Sequence, residues 1–200
     1  MNVVAKRLFD LFWVIPGLLF LSPLLVMIAI WIKVDSPGPV FFRQIRVGLG
    51  GREFKVLKFR TMVPDAEKIG LKITVAGDPR ITRSGNFLRK YKLDELAQLF
   101  NVLSGEMSLV GPRPEVPEYV ALYPANVREK VLSVKPGITD LASLEYKDEN
   151  ELLEDADNPR EVYVQEIMPR KLDYYVQYVE KRTLWSDFII ILRTIVAITT

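Results

Sequence analysis

From Leu11 to Ile32 the chain runs LFWVIPGLLFLSPLLVMIAIWI without a charged residue, and no other feature restricts its fold as tightly. A helix of about 22 residues is roughly 33 Å long, enough to cross a hydrocarbon core of about 30 Å. Its apolar side chains favour insertion by about 4–8 kcal/mol, an upper bound because end positions count for less. The run is too long for a cleavable signal, and no small-residue cleavage site follows it. It belongs in lipid. Pro16 and Pro23 each remove a backbone donor and leave the carbonyls of Phe12 and Leu19 without helical partners. The Ser22 hydroxyl, beside Pro23, is placed to donate locally. Lys6 and Arg7 precede the run, and Lys33, Arg43, Arg46 and Arg52 follow it. A kinked spanning helix fits the prolines. A re-entrant helix, broken at Ser22-Pro23 and returning to the leaflet it entered, also fits the cations on both flanks, which favour two cytoplasmic ends. Residues 1–36 then form the membrane element and residues 37–200 one cytosol-facing unit.

The remainder reads as α+β, mainly helical. Val40–Val47 and Glu53–Met62 are predicted strands, joined by Gly48-Leu-Gly-Gly51 in a hairpin. Pro64-Asp-Ala-Glu67 is a helix start and Gly77-Asp-Pro-Arg80 a turn. Ser84–Leu103 has helical spacing, with Leu88, Leu96, Leu99 and Leu103 near one face and Gly105 as the stop. Gly111-Pro-Arg-Pro114 breaks the chain, Glu118–Val134 reads as one helix, and Lys135-Pro-Gly137 as a turn. Residues Glu145–Glu166 are acidic and solvated in character, and Tyr163–Lys181 is a helix interrupted at Pro169. Leu184–Ile198, at about 22 Å, is too short to span. It suits either an interfacial helix anchored by Trp185 or a core helix.

With no Cys and no His in the chain, disulfides and thiolate chemistry are excluded, and the commonest general base is missing. The net charge of +2 and the apolar run speak against nucleic-acid binding. Three groups remain. Asp94-Glu95 places two acids where both can line one site; the plainer reading is an N-cap and a first-turn acid. Lys58 and Arg60 share a strand face and suit one phosphate group, or equally a solvated or lipid-facing surface. Arg113, between Pro112 and Pro114, is presented with little entropy to lose, whether to grip an anion bidentately or only to sit in a stiff turn.

Several longer motifs occur together: Lys6-Arg-Leu-Phe-Asp10, Ser22-Pro23, Val40-Phe-Phe-Arg-Gln-Ile-Arg-Val-Gly48 and Phe54-Lys-Val-Leu-Lys-Phe-Arg-Thr-Met62. They are followed by Leu88-Arg89, Leu93-Asp-Glu-Leu96, Asn101-Val-Leu-Ser-Gly-Glu-Met-Ser-Leu-Val-Gly-Pro-Arg-Pro-Glu115 and Lys135-Pro-Gly-Ile-Thr139. In this order they resemble the monotopic polyprenol-phosphate phosphoglycosyl transferases, the bacterial sugar transferase family in its minimal catalytic form. The resemblance implies a re-entrant helix and interfacial helices around a cytoplasmic-face catalytic site at the bacterial inner membrane. It implies a UDP-sugar donor, a polyprenol phosphate acceptor, membrane lipid as partner and Mg²⁺ as cofactor, and it leaves room for a homodimer. Asp94 would be the nucleophile and Glu95 its partner in metal or proton handling, so both are candidate Mg²⁺ ligands. Lys58, Arg60 and Arg89 would contact phosphate, and Pro112, Arg113 and Pro114 the nucleotide. Direct displacement by the acceptor and a non-enzymatic membrane scaffold are the competing readings. Two departures stand out: Ala97 occupies a position where the family usually has Pro, and Asp140-Leu-Ala-Ser-Leu-Glu-Tyr146 replaces the family's usual continuation.

Overall fold

The computed structural model describes residues 1–64, 66, 78–145 and 158–199. Its first element, α1 (Val3–Asp35), starts where the Asn2 side chain accepts from the Val4 N–H at 2.8 Å and has Pro16 and Pro23 inside. Helical backbone is continuous through both prolines. The Ser22 hydroxyl donates to the Leu19 carbonyl at 2.8 Å, supplying the bond that Pro23 cannot. Asp10, Val14, Leu25, Ile28 and Ile32 are buried, and Leu18 and Leu21 pack partly buried between them. These positions recur at three and four residues, so a helix apolar on every side buries one stripe.

The stripe rests on a hairpin of β1 (Phe41–Val47) and β2 (Glu53–Phe59), paired antiparallel from Phe41↔Phe59 to Val47↔Glu53. Gly50 and Gly51 take φ of 66° and 78° at the connection, a backbone region open to glycine at little cost. Phe41 and Phe59 stack at 5.3 Å, and Phe59 joins Leu25, Ile28 and Ile32 in one cluster. The strand alternation that turns Phe59 inward sends Lys58 to the opposite face. The predicted continuation of β2 to Met62 stops at Phe59.

The expected helix Ser84–Leu103 is three elements: α2 (Arg83–Lys90), a 3₁₀ turn (Leu93–Ala97) and α3 (Gln98–Ser104). Lys92 sits between them at φ 52°; a left-handed residue cannot continue a right-handed helix. Leu88 is buried as expected, but Leu103 is 41% exposed. Gly105 ends α3 at φ 89°, as its residue type predicts. Asn101 docks α3 on the hairpin edge, accepting from Leu57 N at 2.9 Å and donating to the Lys55 carbonyl at 2.9 Å.

Past α3, β3 (Ser108–Val110) pairs in parallel with β4 (Gly137–Thr139), a sheet the sequence reading missed by treating Lys135-Pro-Gly137 as a turn alone. A Cβ on Gly137 would lie 2.1 Å from the Gly111 nitrogen, so only glycine permits this approach. The predicted helix Glu118–Val134 is two short ones, α4 (Pro117–Val120) and α5 (Ala125–Val131). Pro124 parts them, because it has no N–H to donate and disfavours helix at Tyr123. Then come α6 (Leu141–Glu145), α7 (Pro159–Val162), a π turn (Tyr163–Ile167), α8 (Met168–Lys181) and α9 (Leu184–Thr199). The interruption expected at Pro169 is that π turn just before it. Of the expected helix start Pro64-Asp-Ala-Glu67 only Pro64 and Ala66 are described, and most of the acidic stretch Glu145–Glu166 lies outside the described residues.

α9 packs one face into the core, as the core-helix reading expects, and leaves an apolar face exposed. Asp187 and Ile190 are buried, while Trp185, Ile189, Leu192, Ile195 and Val196 are exposed. Lys6 binds Asp10 at 3.1 Å and Asp187 at 2.7 Å. Asp10 also accepts from the Ser108 hydroxyl and Leu109 N–H, and Tyr178 donates to Asp187 and to the Val110 carbonyl. This buried knot ties α1 to β3, α8 and α9.

Candidate active site

Asp94 and Glu95 lie on the 3₁₀ turn, packed against the end of β2. The tighter winding replaces the α-helical N-cap expected for Asp94; Lys92 holds the cap position, with no side-chain cap hydrogen bond. Lys58 Nζ reaches Glu95 Oε1 at 2.9 Å. Arg113 forks onto the same carboxylate, Nη1 to Oε2 at 3.3 Å and Nη2 to Oε1. Three segments distant in sequence therefore meet at one carboxylate. Burial alone would raise the Glu95 carboxyl, but Arg113 and Lys58 outweigh it and hold it well below the ordinary carboxylate range. Glu95 in turn holds the Arg113 guanidinium firmly protonated.

Asp94 differs. No side-chain hydrogen bond or ion pair engages its carboxylate among the described residues. Burial pushes it above its ordinary value of 3.8, Lys58 opposes the rise, Glu95 adds to it and Arg89 opposes it. Arg89 is held by α2: its Nε donates to Thr61 Oγ1 at 2.9 Å. Gly85, one turn earlier on the same face, permits this contact, because a Cβ there would lie 2.0 Å from the Thr61 carbonyl oxygen.

Arg60 is not brought to this cluster. Its guanidinium is buried and donates to the carbonyls of Pro39 at 2.6 Å, Pro37 at 2.7 Å, Ser36 at 2.9 Å and Ile32 at 3.4 Å. The expectation that it shares a phosphate with Lys58 is corrected: β2 ends before Arg60, and the exit of α1 takes its donors. Pro112 and Pro114 flank Arg113 as expected, with the loop pinned by Gly137 N to the Pro112 carbonyl at 3.0 Å.

Residues given no role from sequence support this centre. Thr61 orients Arg89. Behind the Arg113 loop, Arg46 bonds Glu115 at 3.2 Å and Tyr163 donates to Glu115 at 2.8 Å. Arg46 and Glu115 belong to quoted motifs, but pattern alone does not reveal that they meet. Asp140, in the departing segment, is buried and accepts from Ser143 N at 2.9 Å.

For Mg²⁺, no group of three or more His, Cys, Asp or Glu gathers among the described residues. Mg²⁺ is commonly held by one or two carboxylates together with substrate phosphates, and the unengaged Asp94 meets that pattern. Glu95, gripped by two cations, does not fit as a ligand in this arrangement.

α1 is the one helix among the described residues long and apolar enough to cross a membrane. Residues 1–200 match the family model described as Bacterial sugar transferase. The chain is 41% identical over 200 residues to the UDP-glucose:undecaprenyl-phosphate glucose-1-phosphate transferase of Xanthomonas campestris pv. campestris, covering 98% of this chain and 39% of that protein. It is 37% identical over 197 residues to the UDP-N-acetylgalactosamine-undecaprenyl-phosphate N-acetylgalactosaminephosphotransferase of Aeromonas hydrophila, covering 98% and 44%. It is 46% identical over 150 residues to the exopolysaccharide production protein PSS of Rhizobium leguminosarum bv. phaseoli, covering 72% and 75%. The chain thus spans well under half the length of the first two of these relatives. With its whole length matched, the chain belongs to the bacterial sugar transferase family.

Proposed function

We propose that this protein is a phosphoglycosyl transferase that moves a phosphosugar from a UDP-sugar to polyprenol (undecaprenyl) phosphate, releasing UMP and starting a glycan on a lipid diphosphate. The observation that carries this is Asp94: in a chain of this family, one carboxylate lacks a side-chain partner while cations surround it. Two relatives are named for UDP-sugars and undecaprenyl phosphate but differ in the sugar, at 41% and 37% identity. The donor class is therefore proposed and the sugar is not.

In the first step a carboxylate oxygen of Asp94 attacks the β-phosphorus. The bond from that phosphorus to the bridging oxygen breaks, and UMP departs with the electron pair. An acyl phosphate on Asp94 holds the phosphosugar. In the second step a phosphate oxygen of the polyprenol phosphate attacks the same phosphorus and expels the Asp94 carboxylate. An ionised carboxylate needs no general base to become a nucleophile, which suits a chain without histidine. Lys58, Arg89 and Arg113 are disposed to stabilise charge on the phosphoryl oxygens. Asp94 and the donor's phosphates would hold Mg²⁺, which when bound would supply neutralisation of the charge that builds on UMP as it leaves. Direct displacement by the acceptor gives the same products, and a phosphosugar trapped on Asp94 separates the two routes.

For topology we propose a re-entrant α1 with its apex near Ser22-Pro23 and the catalytic unit on the cytoplasmic face. Both arms of α1 dock on one body. Arg7 near its start bonds the Val102 and Leu103 carbonyls, and Asp35 at its end accepts from Ser84. Between Val14 and Leu25 no residue of α1 is fully buried, so the stretch with both prolines carries the least of the packing. Trp13 stacks on Phe188 and Phe188 on Trp185; on the other arm Trp31 meets Phe87 and Phe87 meets Tyr91. Such aromatic groups suit headgroup depth.

The test is UMP release from a panel of UDP-sugars with Mg²⁺ and undecaprenyl phosphate, wild type against Asp94→Asn. Acceptor-dependent release that disappears in the variant supports the reaction and names the sugar. No release from any donor by folded, membrane-bound protein removes the donor assignment.

A further inference from the structure

The two adjacent acids of the site are treated oppositely. Asp94 has no side-chain partner among the described residues, whereas both oxygens of Glu95 are filled by Lys58 and Arg113. One ammonium plus one forked guanidinium is a contact pattern that also suits two oxygens of a phosphate group.

The commitments of these two cations are equally informative. Arg60 is consumed by four carbonyls, and Arg46 by Gln44, Pro114 and Glu115. Lys58 and Arg113 have no hydrogen-bonded partner besides Glu95 among the described residues. Their side chains remain 24% and 31% exposed, so an anion from solvent can reach them without the core opening.

We infer that Glu95 is a resident stand-in for a substrate phosphate. In the free protein it holds Lys58 and Arg113 together, and the diphosphate of the donor displaces it from at least one of them. The name of that phosphate rests on the transferase reading; the exchange rests on the geometry alone. Glu95 is thus both organiser and competitor. It keeps two cations in place that would otherwise repel and wander, and it lowers their affinity for any incoming anion. Its own carboxylate becomes open to a divalent ion only after the exchange, so anion and metal enter the site with positive coupling.

The experiment uses the full chain in nanodiscs, with inorganic pyrophosphate as probe, a chelator present and ionic strength fixed. Glu95→Gln keeps the shape and removes the competing charge, so pyrophosphate binds roughly tenfold tighter than to wild type. Unchanged or weaker binding by a variant that melts like wild type overturns the inference, and weaker binding is what a merely structural Glu95 would give. A second variant reads the other consequence without altering Glu95. Arg113→Gln frees one side of the carboxylate, so Mn²⁺, followed by electron paramagnetic resonance without any phosphate, binds the variant measurably tighter than wild type. Equal Mn²⁺ affinity in the two overturns the exchange. Neither readout uses a nucleotide sugar. Both results together with no UMP release remove the donor assignment and keep the exchange; UMP release with neither result does the reverse.

Discussion

Two clusters in this protein use the same chemistry to different ends. In the knot beneath α1, Lys6 lies between Asp10 and Asp187, both carboxylates are buried, and Ser108, Leu109 and Tyr178 add donors. At the site, Lys58 and Arg113 share Glu95, while Asp94 feels the charges of Lys58 and Arg89 without a side-chain bond to either. The knot has more acids than bases, and both of its carboxylates are buried. The site has three cations to two acids and is partly open. A surplus cation beside an unengaged carboxylate suits the proposed role of receiving another anion, whereas a buried, internally paired cluster suits a joint.

That contrast is broken or sharpened most strongly at its two acids. Asp94→Asn should lower transfer at least about 10³-fold. It should not lower the melting temperature, because a carboxyl whose folded pKa is raised is easier to fold neutral. Asp10→Ala should do the opposite. It leaves the Leu109 N–H and Ser108 hydroxyl unpaired in the core and costs about 3 kcal/mol, read by chemical unfolding. If Asp10→Ala stayed fully stable while losing all turnover, the division between joint and site would fail.

A smaller effect is expected for Arg60→Lys, which keeps the charge but cannot fork across four carbonyls. A loss of about 2 kcal/mol with pyrophosphate affinity nearly unchanged would place Arg60 on the joint side. The smallest effect is on pH. Asp94 is raised above 3.8, so the proposed nucleophile should protonate, and the UMP burst fade, while the solution is less acidic than an ordinary aspartate would require. Glu95 is depressed below 4.5. The stability it contributes is full above that ordinary value and is lost only as pH falls through its lower folded value. Activity should therefore decline at a higher pH than the site's ion pairs do, as comparison of burst amplitude with thermal melts would reveal.

The sequence made some of this legible and hid the rest for physical reasons. The apolar run, the glycine-closed hairpin and the Gly105 stop are local signals, and each stands where its residues put it. Lys58, Asp94, Glu95 and Arg113 could be singled out by type and motif. Their convergence on one carboxylate could not, because it depends on how β2, the 3₁₀ turn and the β3 loop pack. Arg60 misled because strand alternation was extended past Phe59, where β2 ends. The single helix expected over 84–103 failed at Lys92, whose left-handed backbone no hydrophobic period reports. The β3–β4 pair was invisible because two three-residue strands give too short a pattern, although Gly111 and Gly137 were there to allow it.

The knot also has a consequence for synthesis. Lys6 leaves the ribosome 181 residues before Asp187. α1 is therefore complete while Asp10 still awaits Ser108 and Leu109, and Lys6 an acid from α9. Contacts of such long separation close late. A nascent chain halted before residue 187 would carry the whole proposed active site and lack the partner that fastens α1, so α9 acts as the clasp on α1.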